Sequence, residues 1–209
     1  MEEKKTNIRS FLNKILSLSN DELDLIDTSY IEKFVPVIGK IHVQGGHCET
    51  DEYFHRNSGS EHYRLLTCLS SLVHNSIIFD IGTNYCLSAL ALSNNKSNIV
   101  LSYDIIDKID SNYKNKNLEN LNIEFIIGDS TNDSRISESN LIFFDAEHDG
   151  IFENIFYQYL KEINWKGLLI LDDIHLNDPM RKFWNIISEE KHDITRIGHW
   201  SGTGLVIFE

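Results

Sequence analysis

Apolar residues near the N-terminus recur at helical spacing. Ile8, Phe11, Leu12, Ile15 and Leu16 fall on one helix face, and Ser19 or Asn20 is placed to end that helix or cap the next. Leu65, Leu66, Leu69 and Leu72 repeat the pattern. From Ser76 the texture changes to short runs without a polar face: Ile77–Ile81, Ile99–Tyr103, Ile123–Ile127, Leu141–Phe144 and Leu168–Leu171. Such runs, with helical stretches between them, suit central strands of a parallel sheet covered on both sides. Two more strands are predicted near Ile194–Ile197 and Leu205–Phe208. The interval from Gly198 to Gly204 has no room for a crossover helix, so this pair closes as an antiparallel hairpin. The pattern therefore predicts an α/β fold: a doubly wound, mostly parallel seven-stranded sheet with an antiparallel C-terminal hairpin and an N-terminal helical cap. Residues 1–75 form the cap and a lid segment, and residues 76–209 form the core, packed as one compact domain.

Composition narrows the functions open to such a fold. A chain of 209 residues, 41% apolar and 24% charged, is long enough to bury one core. Its net charge of −13 repels phosphate backbones, and Arg181-Lys182 is too small a basic cluster to offset it, so no nucleic-acid partner is expected. No apolar run approaches the roughly 18–20 residues of a membrane helix. The charged start Met1-Glu2-Glu3-Lys4-Lys5 is not followed by the apolar core of a signal peptide. The three cysteines, Cys48, Cys68 and Cys86, lack CxxC spacing and read as reduced thiols rather than a disulfide framework or a zinc site. A cytoplasmic location follows as the expectation.

Ligands of an open parallel sheet bind outside the carboxyl ends of its strands. Each of the five runs ends in an acid there: Asp80, Asp104, Asp129, Asp145 and the pair Asp172-Asp173. One such acid is ordinary; a full set converging on one edge points to a binding rim. Gly82, after the first run, allows a tight turn and close approach of backbone N–H groups to a ligand. The pyrophosphate fingerprint G-x-G-x-x-G is absent, because Asn84 and Leu87 occupy its second and third glycine positions. Asp104, 22 residues beyond Gly82, is placed to accept both hydroxyls of a ribose, and Asp129 to meet an adenine amino group. The combination describes a nucleoside ligand carrying no pyrophosphate.

The segments IIFDIGTNYCLSALAL, VLSYD, FIIGDS, LIFFDAEHDG and GLLILDDIH carry a family resemblance. From about Glu61 to the C-terminus the chain resembles the class I S-adenosylmethionine-dependent methyltransferases, and more narrowly the metal-dependent small-molecule O-methyltransferases of the catechol and the macrocin or aminocoumarin sugar types. The resemblance implies a Rossmann-like methyltransferase fold with a reversed last strand. It implies that Gly82 and Ser88 border the methionine part of S-adenosyl-L-methionine, that Asp104 holds the ribose and that Asp129 sits by the adenine. Asp80 and Asp145 border the same cofactor, and Glu61 approaches it from the cap. Cys86 departs from the pattern, since many members carry glycine there. The resemblance also leaves open a homodimer formed through the N-terminal helices.

Asp145, Asp172 and Asp173 follow the fourth and fifth strands, and adjacent strands lie about 4.8 Å apart. Three carboxylates in one small volume repel one another unless protons or a cation intervene. Hard oxygen ligands suit Mg²⁺, or Mn²⁺ in its place. The resemblance implies the same ligand positions. The plainer reading of Asp172-Asp173 is that they cap the next helix. A cation there would bind neighbouring hydroxyls of an acceptor, and a base must collect the proton; Asp145, His148 and His175 are the candidates. The glycine-rich stretch Gly198–Gly204 presents Trp200 either as an apolar wall over the acceptor or as a buried residue of a tight turn. The histidines around His42–Glu49, with His55 and His62, have no recognised ligand spacing and read as a lid. The expected activity is O-methylation of a small molecule with vicinal hydroxyls. A sugar or nucleotide-sugar is favoured, because Asp172-Asp173 is an acid pair where catechol enzymes typically carry Asp-Asn. A phenol or catechol acceptor and a non-catalytic nucleoside-binding module are the alternatives.

Overall fold

The computed structural model describes residues 2–28, 56–108 and 118–209. Its strands are β1 (Ile77–Ile81), β2 (Ile99–Asp104), β3 (Ile123–Ile127), β4 (Leu141–Phe144), β5 (Gly167–Asp172), β6 (Glu190–Asp193) and β7 (Thr203–Phe208). They form one sheet in the order β3-β2-β1-β4-β5-β7-β6. The first five are parallel, β7 runs antiparallel to β5, and β6 antiparallel to β7. The predicted doubly wound sheet with an antiparallel end is therefore present.

The sixth strand is displaced from its predicted place. It is the polar run Glu190–Asp193, while Thr195–Ile197 is a short 3₁₀ turn. An edge strand pairs on one side only and needs no apolar run. Ile194 and Ile197, which suggested the strand, are buried in the turn that follows it.

The helices are α1 (Glu2–Ser17), α2 (Asn20–Asp24), α3 (Tyr63–Leu72), α4 (Leu87–Leu92), α5 (Phe152–Glu162) and α6 (Asp178–Ile186). Ser19 caps α2 rather than closing α1: its hydroxyl accepts from Glu22 N–H, and Ser19 N–H donates to the Glu22 carboxylate at 2.9 Å. Among the described residues no helix is long and apolar enough to cross a membrane.

Side chains alternate across the strands and divide the core into two layers. Ile78, Val100, Phe143, Ile170 and Leu205 face α1, α3 and α4, whose Ile15, Leu66 and Leu90 complete that layer. Phe79, Leu101, Phe144, Leu171 and Val206 face α5 and α6 through Phe156, Leu160 and Phe183. Each buried aliphatic or aromatic side chain contributes about 1.5–3 kcal/mol. The alternation also fixes the site: Asp80 and Asp172 share the parity of Ile78 and Ile170, and so lie on the side of α3.

Candidate active site: a rim cavity and an acid–histidine cluster

A cavity of about 570 Å³ opens outside the carboxyl ends of the strands, bordered by Gly82, Asp104, Asp129, Asp145 and His148 among others. That volume suits a small organic ligand. Its polar groups are held by their own loops. Asp104 accepts from Asn84 N–H at 2.8 Å and from Ile106 N–H at 3.0 Å, which orients the carboxylate at the end of β2. Asp129 accepts from the Thr131 N–H and hydroxyl at 2.9 and 2.8 Å.

Gly82 (φ +103°) is required by a neighbouring strand exit: a Cβ there would stand 1.8 Å from the Asp145 carbonyl oxygen. Cys86, the departure from glycine, sits in the left-handed region (φ 64°) with its side chain buried. The turn into α4 thus keeps the geometry that glycine would adopt, at a strain of about 1–2 kcal/mol.

Asp80, Ser88 and Glu61 do not line the cavity. Ser88 is buried at the start of α4. Asp80 lies fully buried in β1, accepts from the Ser102 hydroxyl at 2.6 Å, and burial pushes its carboxyl up to about 6. Its folded-state value exceeds the unfolded one, so its ionisation costs stability above pH 6 and nothing below about pH 4. Asp80→Asn is expected to stabilise the fold by up to about 3 kcal/mol at pH 8 and to leave it unchanged at pH 4. Urea denaturation at the two pH values checks this; an equal difference at both would show that the charge is not the cause.

Beside the cavity the acids interleave with histidines. His148 Nε2 lies 3.3 Å from Asp145 Oδ1, and its Nδ1 3.4 Å from Asp173 Oδ2. His199 Nδ1 lies 3.2 Å from Asp172 Oδ2 and 3.3 Å from Asp173 Oδ1, while its Nε2 faces Glu61 Oε2 at 3.7 Å. His62 Nδ1 stands 3.5 Å from Asp172 Oδ2. Among the described residues, four triples present ligand atoms within 4.8 Å of one another: Glu61–His62–His199, His62–Asp145–Asp172, Asp145–His148–Asp173 and Asp172–Asp173–His199.

Burial and the negative charge of Asp172 push the Asp145 carboxyl well above its ordinary value. Burial would raise Asp172 too, but His62 and His199 outweigh it and hold that carboxyl well below the usual range. Burial opposes the His199 charge, and hydrogen bonding to Asp172 and Asp173 overrides it, raising the imidazole to about 10. One acid protonated and its neighbour ionised is how crowded carboxylates settle without a cation.

The structure sets Asp145 and Asp173 against His148, and Asp145 and Asp172 against His62, but among the described residues the three carboxylates do not form one such triple. His175 is not part of this group: its Nε2 meets Asp193 Oδ2 at 2.7 Å, and it belongs to none of the four triples. Nor do Asp172 and Asp173 cap a helix. Asn177 caps α6, accepting from Met180 N–H at 2.9 Å, and its amide donates to the His148 carbonyl at 2.8 Å. Trp200 is 65% exposed, which removes the buried-turn reading. The stretch His42–Glu49 and His55 lie outside the described residues. His62 itself lies beside the acids, its Nδ1 3.5 Å from Asp172 Oδ2.

Sequence reasoning missed His62, His199, Glu153 and Asn177 as parts of the site. Glu153 accepts from the His148 N–H at 2.7 Å and so fixes the loop that carries the imidazole. The available signal was the glycine-rich frame around His199 and the position of His62 just before an apolar helix.

A sheet of this order, with its cavity at the carboxyl ends and acids on β1, β2 and the β4 and β5 exits, defines the Rossmann-like methyltransferase fold. Solved structures agree. An SAH-bound methyltransferase of Podospora anserina superposes with a TM-score of 0.58 at 14% identity, over 87% of this chain and 93% of its own. An O-methyltransferase of Bacillus cereus in complex with SAH gives 0.59 at 16% identity, over 88% and 93%. A methyltransferase of Geobacter sulfurreducens gives 0.54 at 13% identity, over 88% and 99%. No protein-family model and no curated protein sequence matches the chain.

Proposed function

We propose that this chain is an S-adenosylmethionine-dependent O-methyltransferase acting on a small molecule with neighbouring hydroxyls, a sugar or nucleotide-sugar by preference, assisted by a divalent cation. The observation that carries the reading is one cavity with Asp104 and Asp129 among its walls and Asp145 and His148 beside them. Asp104 suits a ribose and Asp129 an adenine edge; the absence of a second and third loop glycine argues against a pyrophosphate.

The residues present fit a divalent cation. Among the described residues the buried Asp172 Oδ1 has no hydrogen-bond partner; Asp145 offers a ligand atom near Asp172 beside His62 and near Asp173 beside His148, and Asp173 offers one near Asp172 beside His199. Asp145, Asp172 and Asp173 would hold the ion, which supplies Lewis acidity that lowers the pKa of an acceptor hydroxyl. S-adenosylmethionine supplies the sulfonium-borne methyl group.

The chain's own part is alignment and proton handling. His148 lines the cavity with its backbone pinned by Glu153 and Asn177, so its ring is held at the rim. Its Nε2 is the atom that takes the hydroxyl proton, and Asp173, 3.4 Å from Nδ1, stabilises the imidazolium that forms. The cluster of charged and hydrogen-bonding groups around His148 suits a hydroxyl-rich acceptor.

Calorimetry with S-adenosylmethionine and with NAD tests the cofactor. Binding of S-adenosylmethionine alone is expected, weakened about tenfold or more by Asp104→Ala, since a hydrogen bond to a charged group is worth about 1.5–3 kcal/mol. Binding of NAD alone overturns the reading. Incubation with nucleotide sugars and catechols, followed by mass spectrometry, then sorts the acceptor class.

A further inference from the structure

A second constellation lies next to the rim acids and takes no part in the mechanism above. Glu61 and His62 precede α3, and His199 lies in the turn before β7. Asp172 Oδ2 faces the Nδ1 of both imidazoles, at 3.2 Å to His199 and 3.5 Å to His62. A carboxylate on that edge holds the Nδ1 proton, so Nε2 is the nitrogen that can bind a metal, with release of any proton it carries. His199 Nε2 points at Glu61 Oε2 from 3.7 Å, too far for a hydrogen bond. His62 is 3% exposed, and among the described residues neither of its ring nitrogens has a hydrogen-bond partner.

The buried His62 Nε2, which lacks even the carboxylate that faces Nδ1, is costly unless something meets it. Ligand atoms on a tetrahedron with bonds of about 2.1 Å stand about 3.4 Å apart, close to the separation of His199 Nε2 and Glu61 Oε2. One donor atom from each of Glu61, His62 and His199 lies within 4.8 Å of the others.

We propose that Glu61, His62 and His199 form a binding site for a borderline divalent transition-metal ion of the Zn²⁺ type, separate from the carboxylate position at the rim. Two imidazoles and one carboxylate select such ions over Mg²⁺. Asp172 serves both positions with different atoms: Oδ2 orients the two imidazoles, and Oδ1, which has no partner among the described residues, is left to the rim. The ion ties the segment leading into α3 to the turn before β7. The inference shares the fold with the proposed activity but does not need methyl transfer to occur.

Metal-stripped protein is titrated with Zn²⁺ against a chromophoric chelator, and bound metal is counted by mass spectrometry. One Zn²⁺ per chain is expected, retained in excess Mg²⁺, with a rise in Tm on binding. His199→Asn, at a partly exposed ring, and Glu61→Gln are each expected to weaken binding by roughly 100-fold or more. Asp145→Asn is expected to leave the Zn²⁺ count at one. Zero bound Zn²⁺ overturns the proposal, and so does equal binding by His199→Asn and Glu61→Gln. Loss of the ion in Asp145→Asn would assign the imidazoles to the rim cation and overturn a separate site. A missing methyltransferase activity with Zn²⁺ still bound would defeat the proposed function and leave this site standing.

Discussion

Asp145→Asn and Asp173→Asn are each expected to cut methyl transfer on the order of 10³-fold, the scale of losing one charge that stabilises a transition state. Affinity for S-adenosylmethionine should be largely kept, because the residues proposed to hold the nucleoside are Asp104, at the end of β2, and Asp129, just after β3. The two carboxyl groups face different nitrogens of His148, at 3.3 and 3.4 Å, so removing either is expected to disturb both the proposed cation position and the proposed base. Single-turnover rates with saturating cofactor and calorimetric affinities separate the two effects. Chelation should reproduce the loss in the unaltered chain and added Mg²⁺ or Mn²⁺ should reverse it. Full activity in both variants would remove the acid rim from the mechanism.

Gly82→Ala is expected to be the most damaging single methyl group that can be added to the binding loop. Its Cβ would stand 1.8 Å from the Asp145 carbonyl oxygen, and φ of +103° is strained for any side chain. Backbone cannot rotate aside as a side-chain tip can, so overpacking and conformational strain add. Together they cost about 3–5 kcal/mol, or roughly 10 °C in Tm for a chain of this size. Gly128→Ala is the matched control: its φ is +151°, yet its Cβ would meet nothing within 4 Å among the described residues, so only the conformational part applies. Equal melting temperatures for the two variants would show that the β4 exit yields freely.

Backbone strain gathers where the chemistry is proposed. Asn84, Cys86, Glu147, His148 and Asp173 all adopt positive φ, and all lie in loops leaving the carboxyl ends of strands. Each costs of order 1–3 kcal/mol and is held by its surroundings. For His148 those surroundings are visible, in the Glu153 and Asn177 hydrogen bonds to its backbone. Such conformations leave no trace in composition or periodicity, because the residues that adopt them are not glycine.

Periodicity alone determined the sheet. Runs apolar on both faces can be satisfied only between two helical layers, so five strands, their parallel sense and the acids at their ends were legible in order. The same logic missed β6, since an edge strand of Glu-Lys-His-Asp has no apolar requirement to display. The rim residues Gly82, Asp104, Asp129, Asp145 and His148 were legible because each lies at, or within four residues of, the carboxyl end of a strand. What joins His62 and His199 to Asp172 was decided only by the tertiary structure. Strand parity turns Asp172 toward the cap, and packing of α3 and the β7 turn on that face delivers two imidazoles from opposite ends of the chain. Local patterns record what a residue needs from its neighbours in sequence; a polar contact between distant segments is stored in packing, and becomes readable only when the layers close.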